Sequence, residues 1–107
     1  MDSEYVIALT TFPADQDAVE FARILVDERL AACVNICPEM VSIYRWQGAV
    51  EQDRERQVII KTTQARVLAL WERIRALHTY DVPEFVVLPV ADGSDAYLRW
   101  IAESTTG

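Results

Sequence analysis

Four side chains in the sequence could together support binding chemistry. His78 is the only histidine of the chain, and imidazole is a common ligand for copper and other transition metals near neutral pH. Cys33 could add a thiolate, which Cu(I) binds strongly. Tyr80 and Glu84 follow His78 closely, and a phenol and a carboxylate beside an imidazole would suit a cation or a small polar ligand. We therefore take His78 and Cys33 as candidate metal ligands, and Tyr80 and Glu84 as candidate cleft residues.

Lys61 and Trp46 are two further candidates. Lys61 stands in an apolar, β-rich stretch, where it could bind an anion in the same cleft or form an ion pair with a residue such as Glu84. Trp46 adjoins a glycine turn at Gly48 and could stack on a ligand, although large aromatic side chains more often anchor subunit contacts. We assign Lys61 to the cleft and Trp46 to an interface.

Purely structural roles stay open for several of these residues. His78 could form hydrogen bonds at a helix end, Cys33 could be a small buried apolar residue, and Tyr80 could simply pack. Catalysis is not expected, because no nucleophile and base accompany the one histidine and no glycine-rich phosphate loop is present. The candidates indicate a binding protein that is not an enzyme.

Composition restricts the class of protein further. The chain has 107 residues, 51% of them hydrophobic and 25% charged, which predicts one globular domain spanning residues 1–107. A core of this size requires no disulfide and no cofactor for folding. The net charge is −7, and basic and acidic residues alternate in the segment 51–56. Nucleic-acid binding is therefore not expected, since it needs a basic face.

The sequence also predicts a location. The N-terminal segment carries acids where a secretory signal would carry Lys or Arg, and no apolar run approaches the ~18 residues of a membrane span. On a strand, Cys33 and Cys37 would lie ~13 Å apart, which exceeds the ~7 Å limit for a disulfide. Free thiols are typical of reducing compartments. We expect a cytoplasmic protein without a membrane partner.

Apolar periodicity predicts four strands and three helices. The strands are expected at 5–11, 32–46, 57–62 and 85–90, and the helices over about 15–30, 64–78 and after Ser94. Expected caps are Asp15, as N-cap or first-turn acid, then Thr63 and Ser94. Pro38 predicts an edge position or a bulge in the second strand. Segment 51–56 is expected to be a solvated, cross-strand-paired ribbon, and the last helix is expected to turn Tyr97, Leu98 and Ile101 inward.

This order of elements predicts an α+β fold, the ferredoxin-like βαββαβ sandwich with an additional C-terminal helix. Helices would cover one face of the sheet, yet both strand parities are apolar. Even positions comprise Val6, Ala8, Val58, Ile60, Val86 and Leu88, and odd positions comprise Ile7, Leu9, Ile59, Phe85 and Val87. An apolar second face needs a cover, which favours a homo-oligomer.

Four segments, read in order, resemble one known family. They are "ARILVDERLAACVNICP", "SIYRWQGAVEQDRERQVIIKTT", "HTYDVPE" and "YLRWI", and together with their spacing they are similar to the CutA (divalent-ion tolerance) family from about Val6 to Ile101. The resemblance implies a ferredoxin-like subunit and a tight homotrimer similar to PII signalling proteins, in which long second and third strands reach neighbouring subunits. It also implies a role in tolerance of copper and other divalent cations, without an established catalytic reaction.

The resemblance bears on the candidate ligands as well. His78 matches the histidine that precedes tyrosine in the family, and Cys33 matches a position that is often cysteine. In a bacterial member with an assigned copper site, the ligands resemble a cysteine late in the first strand and a His-His pair; the matching positions here are Thr10 and Leu77–His78. The expected function is therefore binding of copper or another divalent cation by a trimer. A PII-like sensor of a small metabolite and a trimeric assembly scaffold are the alternatives.

Overall fold

The structure is a computed structural model of the chain and describes residues 3–107. It contains four β-strands and three α-helices, with one 3-10 turn, Gln64–Arg66, before the second helix. In chain order these elements are β1 (Tyr5–Pro13), α1 (Ala18–Asp27), β2 (Cys33–Trp46), β3 (Ala49–Thr63), α2 (Val67–Leu77), β4 (Val86–Pro89) and α3 (Asp95–Ser104).

The strands form one sheet in the order β2-β3-β1-β4, and all three neighbouring pairs are antiparallel. Two β-α-β halves interleave in this order, because β1 and β3 lie in the centre while β2 and β4 form the edges. The predicted ferredoxin-like α+β fold with an additional C-terminal helix is therefore confirmed.

The core lies between the sheet and helices α1 and α2. On β1, Ala8 is fully buried and pairs with Ile60, which is also fully buried, whereas the alternate residues Ile7 and Leu9 are only partly buried. This period of two defines a core face and an opposite open face of the sheet. The largest fully buried apolar side chains of the helices are Leu25, Leu70 and Ile74.

The strand β4 corrects the predicted grouping of residues by face. Ala8 pairs with Val87 and Ile7 pairs with Leu88, so Val86 and Leu88 lie on the open face and not with Ala8. Even and odd numbering carries no information across the long connection from β3 to β4, because hydrogen-bond register alone decides which side chains share a face. Val86 and Leu88 are 47% and 44% exposed.

Helix α3 contacts β3 and β1 and is anchored by Ile101, which is buried as predicted. The predicted cap is also present, since the Ser94 hydroxyl accepts a hydrogen bond from the backbone N–H of Tyr97. Tyr97 itself is 42% exposed and does not turn inward as expected. Leu98 is partly buried.

Two other predicted caps are wrong. Asp17, not Asp15, caps α1 by accepting from the backbone N–H of Glu20, because β1 runs on to Pro13 and a turn precedes the helix. Thr63 makes no side-chain cap, since the chain first forms a 3-10 turn there. Both differences move a helix start by two or three residues and leave the topology unchanged.

The β2–β3 hairpin is longer than predicted. Its register shifts between Ile36 and Glu39, which places the expected bulge at Pro38, and β2 is also an edge strand. The central strand β1 ends at Pro13, opposite Glu55. Residues 41–54 therefore pair only with each other, and we call this two-stranded ribbon the arm. Six paired rows extend it by about 20 Å.

Two leucines of α2 provide a test of which side of this helix faces the core. Leu70 is fully buried and Leu68 is 70% exposed, although both occupy the same helix. We predict that Leu70→Ala lowers the free energy of unfolding by about 2–5 kcal/mol through loss of apolar burial and a cavity. The matched control Leu68→Ala should change it by less than about 0.5 kcal/mol. Urea unfolding followed by circular dichroism measures both, and equal losses would contradict the assigned helix orientation.

Candidate functional site

His78 ends helix α2 with its ring buried, 9% exposed. Its Nε2 atom lies 2.6 Å from the backbone carbonyl oxygen of Thr11, and its Nδ1 atom lies 3.1 Å from the backbone nitrogen of Tyr80. A carbonyl only accepts and an amide N–H only donates, so Nε2 carries the proton and Nδ1 accepts. Both ring nitrogens of this neutral tautomer are thus engaged within the chain, and a metal at either one would have to displace a hydrogen bond.

Aromatic side chains hold the His78 ring in place. Phe12 meets it edge-on at 5.3 Å between ring centroids, and Tyr80 lies tilted at 4.5 Å. Phe12 in turn stacks on Phe21 of α1 at 4.4 Å. These contacts connect the end of β1, the helix layer and the segment after α2, which restricts the imidazole to one orientation.

The segment after His78 reaches polar residues of β3 that share the open face. The Tyr80 hydroxyl donates to Glu55 Oε2 at 2.9 Å. The Gln57 amide donates to Glu84 Oε2 at 2.9 Å and to the backbone oxygen of Thr10 at 2.7 Å. We call His78, Tyr80, Glu84, Glu55 and Gln57 the His78 cluster. Three predicted site residues thus lie in one region, and Glu84 is bonded to Gln57 and not to Lys61.

Two tyrosine–carboxylate pairs set the electrostatics of this region. Burial, together with the hydrogen bond to Glu55, raises the pKa of Tyr80 well above its ordinary value. On the exposed arm, the hydrogen bond from Tyr44 to Asp53 raises the pKa of Tyr44 to about 12. Glu55 is only 8% exposed, and its carboxylate accepts the hydrogen bond from the Tyr80 hydroxyl. Both phenols therefore stay neutral and donate to carboxylates at ordinary pH.

An open groove lies beside Tyr80, at the base of the arm. Its volume is about 420 Å³, and it carries charges of both signs. In the wall of the groove, Arg54 forms an ion pair with Glu39 at 2.9 Å, and Asp53 accepts a hydrogen bond from the Tyr44 hydroxyl. We call this the Tyr80 groove; it is lined by Pro13, Ala14, Asp15, Glu39, Asp53, Arg54 and Tyr80.

Cys33 and Lys61 lie at the other end of the sheet. They face each other across β2 and β3, and Lys61 also pairs with Ile7 of β1. Ile7 precedes Thr11, the partner of His78, by four residues, or about 13 Å along a strand. The two candidate metal ligands are therefore not brought together in one chain. Within residues 3–107, no three His, Cys, Asp or Glu side chains form a group that could hold a metal ion.

The positions that match copper ligands in the bacterial relative are occupied by core residues. Thr10 is fully buried on the core face, and Leu77 packs against the hydrophobic core. Neither side chain offers an imidazole or thiolate. Trp46 lies at the tip of the arm and is 38% exposed, far along β2 from the His78 cluster.

Sequence reasoning missed Glu55, Gln57, Asp53 and Tyr44 as members of the site. The sequence predicts a solvated ribbon over 51–56, because alternating charge is typical of such a ribbon. Their role depends on β1 ending opposite Glu55 and on the segment after α2 crossing to the open face. Nothing local in the sequence placed Tyr80 and Glu84 beside Glu55 and Gln57.

No helix in the described range, residues 3–107, is long and apolar enough to cross a membrane. The sheet order and helix placement define a ferredoxin-like α+β protein with a polar cluster beside the end of its central strand. The family model of the CutA1 divalent ion tolerance protein matches residues 6–104, and the chain belongs to this family.

Individual relatives agree with this assignment. The divalent-cation tolerance protein CutA of Thermus thermophilus is 50% identical over 99 residues, which are 92% of this chain and 96% of that protein. The chloroplastic CutA protein of Arabidopsis thaliana is 44% identical over 94% of this chain, but only 55% of its own length is covered. The solved structure of the Thermus thermophilus Cut A1 protein has a TM-score of 0.91 at 49% identity and covers 95% of this chain and 99% of that chain.

The Tyr80–Glu55 hydrogen bond predicts an alkaline loss of stability. A raised pKa means that the folded chain holds the phenolic proton more tightly than the unfolded chain, whose tyrosine titrates near pH 10. The stabilisation is therefore complete below about pH 10 and is lost as pH rises through the higher folded pKa. Tyr80→Phe should lower stability at about pH 8 by about 1–3 kcal/mol, since a buried carboxylate loses its donor.

Tyrosinate absorbance and urea unfolding check this prediction. Tyr80 should ionise at a higher pH in the folded protein than in the unfolded chain, and Glu55→Gln should lower the pKa of Tyr80 by removing the nearby negative charge. Tyr44→Phe is the comparison variant, because its hydroxyl also donates to a carboxylate but lies on the exposed arm. Unchanged stability of Tyr80→Phe at about pH 8 would show that this hydrogen bond does not hold the segment.

Proposed function

We propose that this protein acts in the tolerance of divalent metal ions, as a cytoplasmic homotrimer that binds a divalent cation, with copper the first candidate. The observation that carries the proposal is membership of the CutA1 divalent ion tolerance family over residues 6–104. The Thermus thermophilus relative is named for divalent-cation tolerance. The cytoplasm is proposed from the sequence, although the Arabidopsis thaliana relative is named chloroplastic.

The proposed cation site would form between chains. Within residues 3–107 a single copy assembles no group of three metal-binding side chains, and its candidates His78 and Cys33 lie at opposite ends of the sheet. Copies meeting around an axis could supply one another's missing ligands. The proposal does not require the ion for folding, and the apolar core cluster of the single chain supports this part of it.

The arm supports the proposed association, because the strand register separates its charges by face. Cross-strand partners share a face, so Arg45 and Val50 lie on one side of the arm while Tyr44 and Glu51 lie on the other. One side, the aliphatic–basic face, comprises Val41, Ile43, Arg45, Val50, Gln52 and Arg54. The other side, the aromatic–acidic face, comprises Ser42, Tyr44, Trp46, Ala49, Glu51 and Asp53.

Both faces of the arm expose apolar side chains that an isolated ribbon would leave in water. Ile43 and Val50 are 69% and 67% exposed on one face, and Tyr44 and Trp46 are 40% and 38% exposed on the other. A two-stranded ribbon alone is marginally stable in water, so a cover is expected. Copies of the same face would repel, whereas unlike faces attract, and such a head-to-tail contact forms a ring when the rotation between copies closes. In this proposal Trp46 is an interface residue.

A second candidate function is recognition of a small polar ligand in the Tyr80 groove, as in a PII-like sensor. The groove is open to solvent and offers a phenol, carboxylates and Arg54 at one place. The proposal includes no catalytic reaction. The groove would be a recognition site, and a scaffold role of the trimer would leave it empty.

Metal titration tests the proposed cation site. Calorimetry of metal-free protein with Cu²⁺ should show saturable binding, and His78→Ala or Cys33→Ser should each weaken it by about tenfold or more through loss of one ligand. Cys37→Ser is the matched control, because Cys37 is also a half-buried free thiol on β2. Stoichiometric binding that survives both ligand substitutions would show that the candidate ligands are wrong.

Charge reversal on the arm tests the proposed association. Arg45 and Glu51 are exposed, lie on opposite faces, and have no ion-pair partner within residues 3–107. Arg45→Glu or Glu51→Arg alone should shift a trimer toward monomers at micromolar concentration, because like charges then meet. The double variant Arg45→Glu/Glu51→Arg should restore assembly. Light scattering after size exclusion measures the mass, and monomeric wild-type protein would contradict the trimer.

A further inference from the structure

Lys61 is the only lysine of the chain, and it occupies an unusual position. It lies on the central strand β3, is half-buried, and shares its cross-strand row with Cys33 on β2 and Ile7 on β1. Ile7 in turn pairs with Leu88 of β4. A primary ammonium group thus lies on an otherwise apolar row of the open face.

Within residues 3–107, Lys61 has no ion-pair partner. The sequence has 17 acidic residues against 10 basic ones, yet within residues 3–107 no carboxylate oxygen lies within 4.0 Å of the Lys61 Nζ atom. The ring of Tyr97 lies beside the ammonium, with 5.9 Å between Nζ and the ring centroid. Lys61 is half-buried, and within residues 3–107 its ammonium has an aromatic face beside it but no carboxylate.

Helix α3 presents two aromatic rings at this point. The Ser94 cap fixes the first turn through the backbone N–H of Tyr97, and buried Ile101 anchors the helix. The rings of Tyr97 and Trp100 lie 5.3 Å apart at 41°, and each residue is 42% exposed. Lys61 therefore adjoins the half-exposed ring of Tyr97, which in turn neighbours the half-exposed ring of Trp100 on the same capped helix. We call these three residues the Lys61 corner.

We propose that the Lys61 corner binds a small carboxylate that carries a flat apolar body. The carboxylate would supply the missing negative charge for the Lys61 ammonium, and the flat body would stack on the half-exposed rings of Tyr97 and Trp100. The corner is separate from the His78 cluster, because Lys61 and Glu55 are six residues apart on β3, or about 20 Å. The proposal therefore does not rest on the His78 cluster, although Cys33 of the proposed cation site pairs with Lys61 across β2 and β3.

A carboxylate from a second copy of the chain would offer the same chemistry. Exposed Asp and Glu side chains are abundant, and the open face that carries Lys61 also carries half-exposed Val86 and Leu88. The two sources differ in their response to concentration. A free carboxylate binds according to its own concentration, whereas a partner's carboxylate responds to dilution of the protein.

The single lysine allows a direct measurement. Reductive methylation of the full-length protein with ¹³C-formaldehyde labels Lys61 and the N-terminal amine, preserves the positive charges, and yields one dimethyl-lysine NMR signal. The probes are benzoate, acetate and benzyl alcohol at ionic strength held constant with sodium chloride. Benzoate carries charge and ring, acetate carries charge alone, and benzyl alcohol carries the ring alone.

We expect a saturable shift of the Lys61 signal with benzoate, and binding of acetate and benzyl alcohol that is weaker by about tenfold. Tyr97→Leu should weaken benzoate binding by about five- to tenfold through loss of one aromatic surface. Leu68→Ala is the control, because Leu68 is 70% exposed on α2, which packs on the opposite face of the sheet, and it should leave benzoate binding unchanged.

Calorimetry of unmodified protein and of Lys61→Met repeats the test without methylation. Benzoate binding should occur in the wild type and be lost in Lys61→Met, while thermal unfolding shows that the variant is folded. Absence of saturable benzoate binding in both assays would overturn the proposal, as would equal binding of acetate and benzoate. A Lys61 signal that shifts when the protein is diluted but does not shift with benzoate would show that a partner's carboxylate occupies the corner. That result would also overturn the proposal.

Discussion

The antiparallel pairing of β1 with β3 is the constraint on which the rest of the structure depends. Its register places Ala8 opposite Ile60 on the core face and Ile7 opposite Lys61 on the open face. A slip by one residue would exchange these two faces and expose the core. The same pairing ends with Pro13 opposite Glu55, so it also decides where the sheet stops and the free arm begins.

The polar chemistry of the molecule follows from where β1 ends. His78 donates to the carbonyl of Thr11, Gln57 donates to that of Thr10, and Tyr80 reaches Glu55 just beyond. Tyr80 pairs with Glu55 and Gln57 pairs with Glu84, so within one chain these side chains already have hydrogen-bond partners. Within residues 3–107, Arg45 and Glu51 on the arm and Lys61 on the sheet are charged groups without an ion-pair partner.

Patterns within single elements predicted much of the fold. The continuous apolar run of β1, the apolar stripe of α1, the Ser94 cap and the bulge at Pro38 all depend on residues close in the chain. Predictions that needed distant residues were less accurate. The face of Val86 was assigned wrongly because it depends on the register with β1, and Tyr97 is exposed because helix α3 covers only part of the open face.

The sequence by itself determined the family, the order of elements and the ferredoxin-like fold, because short-range periodicity and contiguous motifs are written along the chain. It also grouped His78, Tyr80 and Glu84, which are neighbours in the chain. Only the tertiary structure decided that Cys33 and Lys61 lie far from them, that Glu55 and Gln57 complete the cluster, and that both nitrogens of His78 are occupied. The physical reason is strand register, which joins residues far apart in sequence and is fixed by the pairing of whole strands.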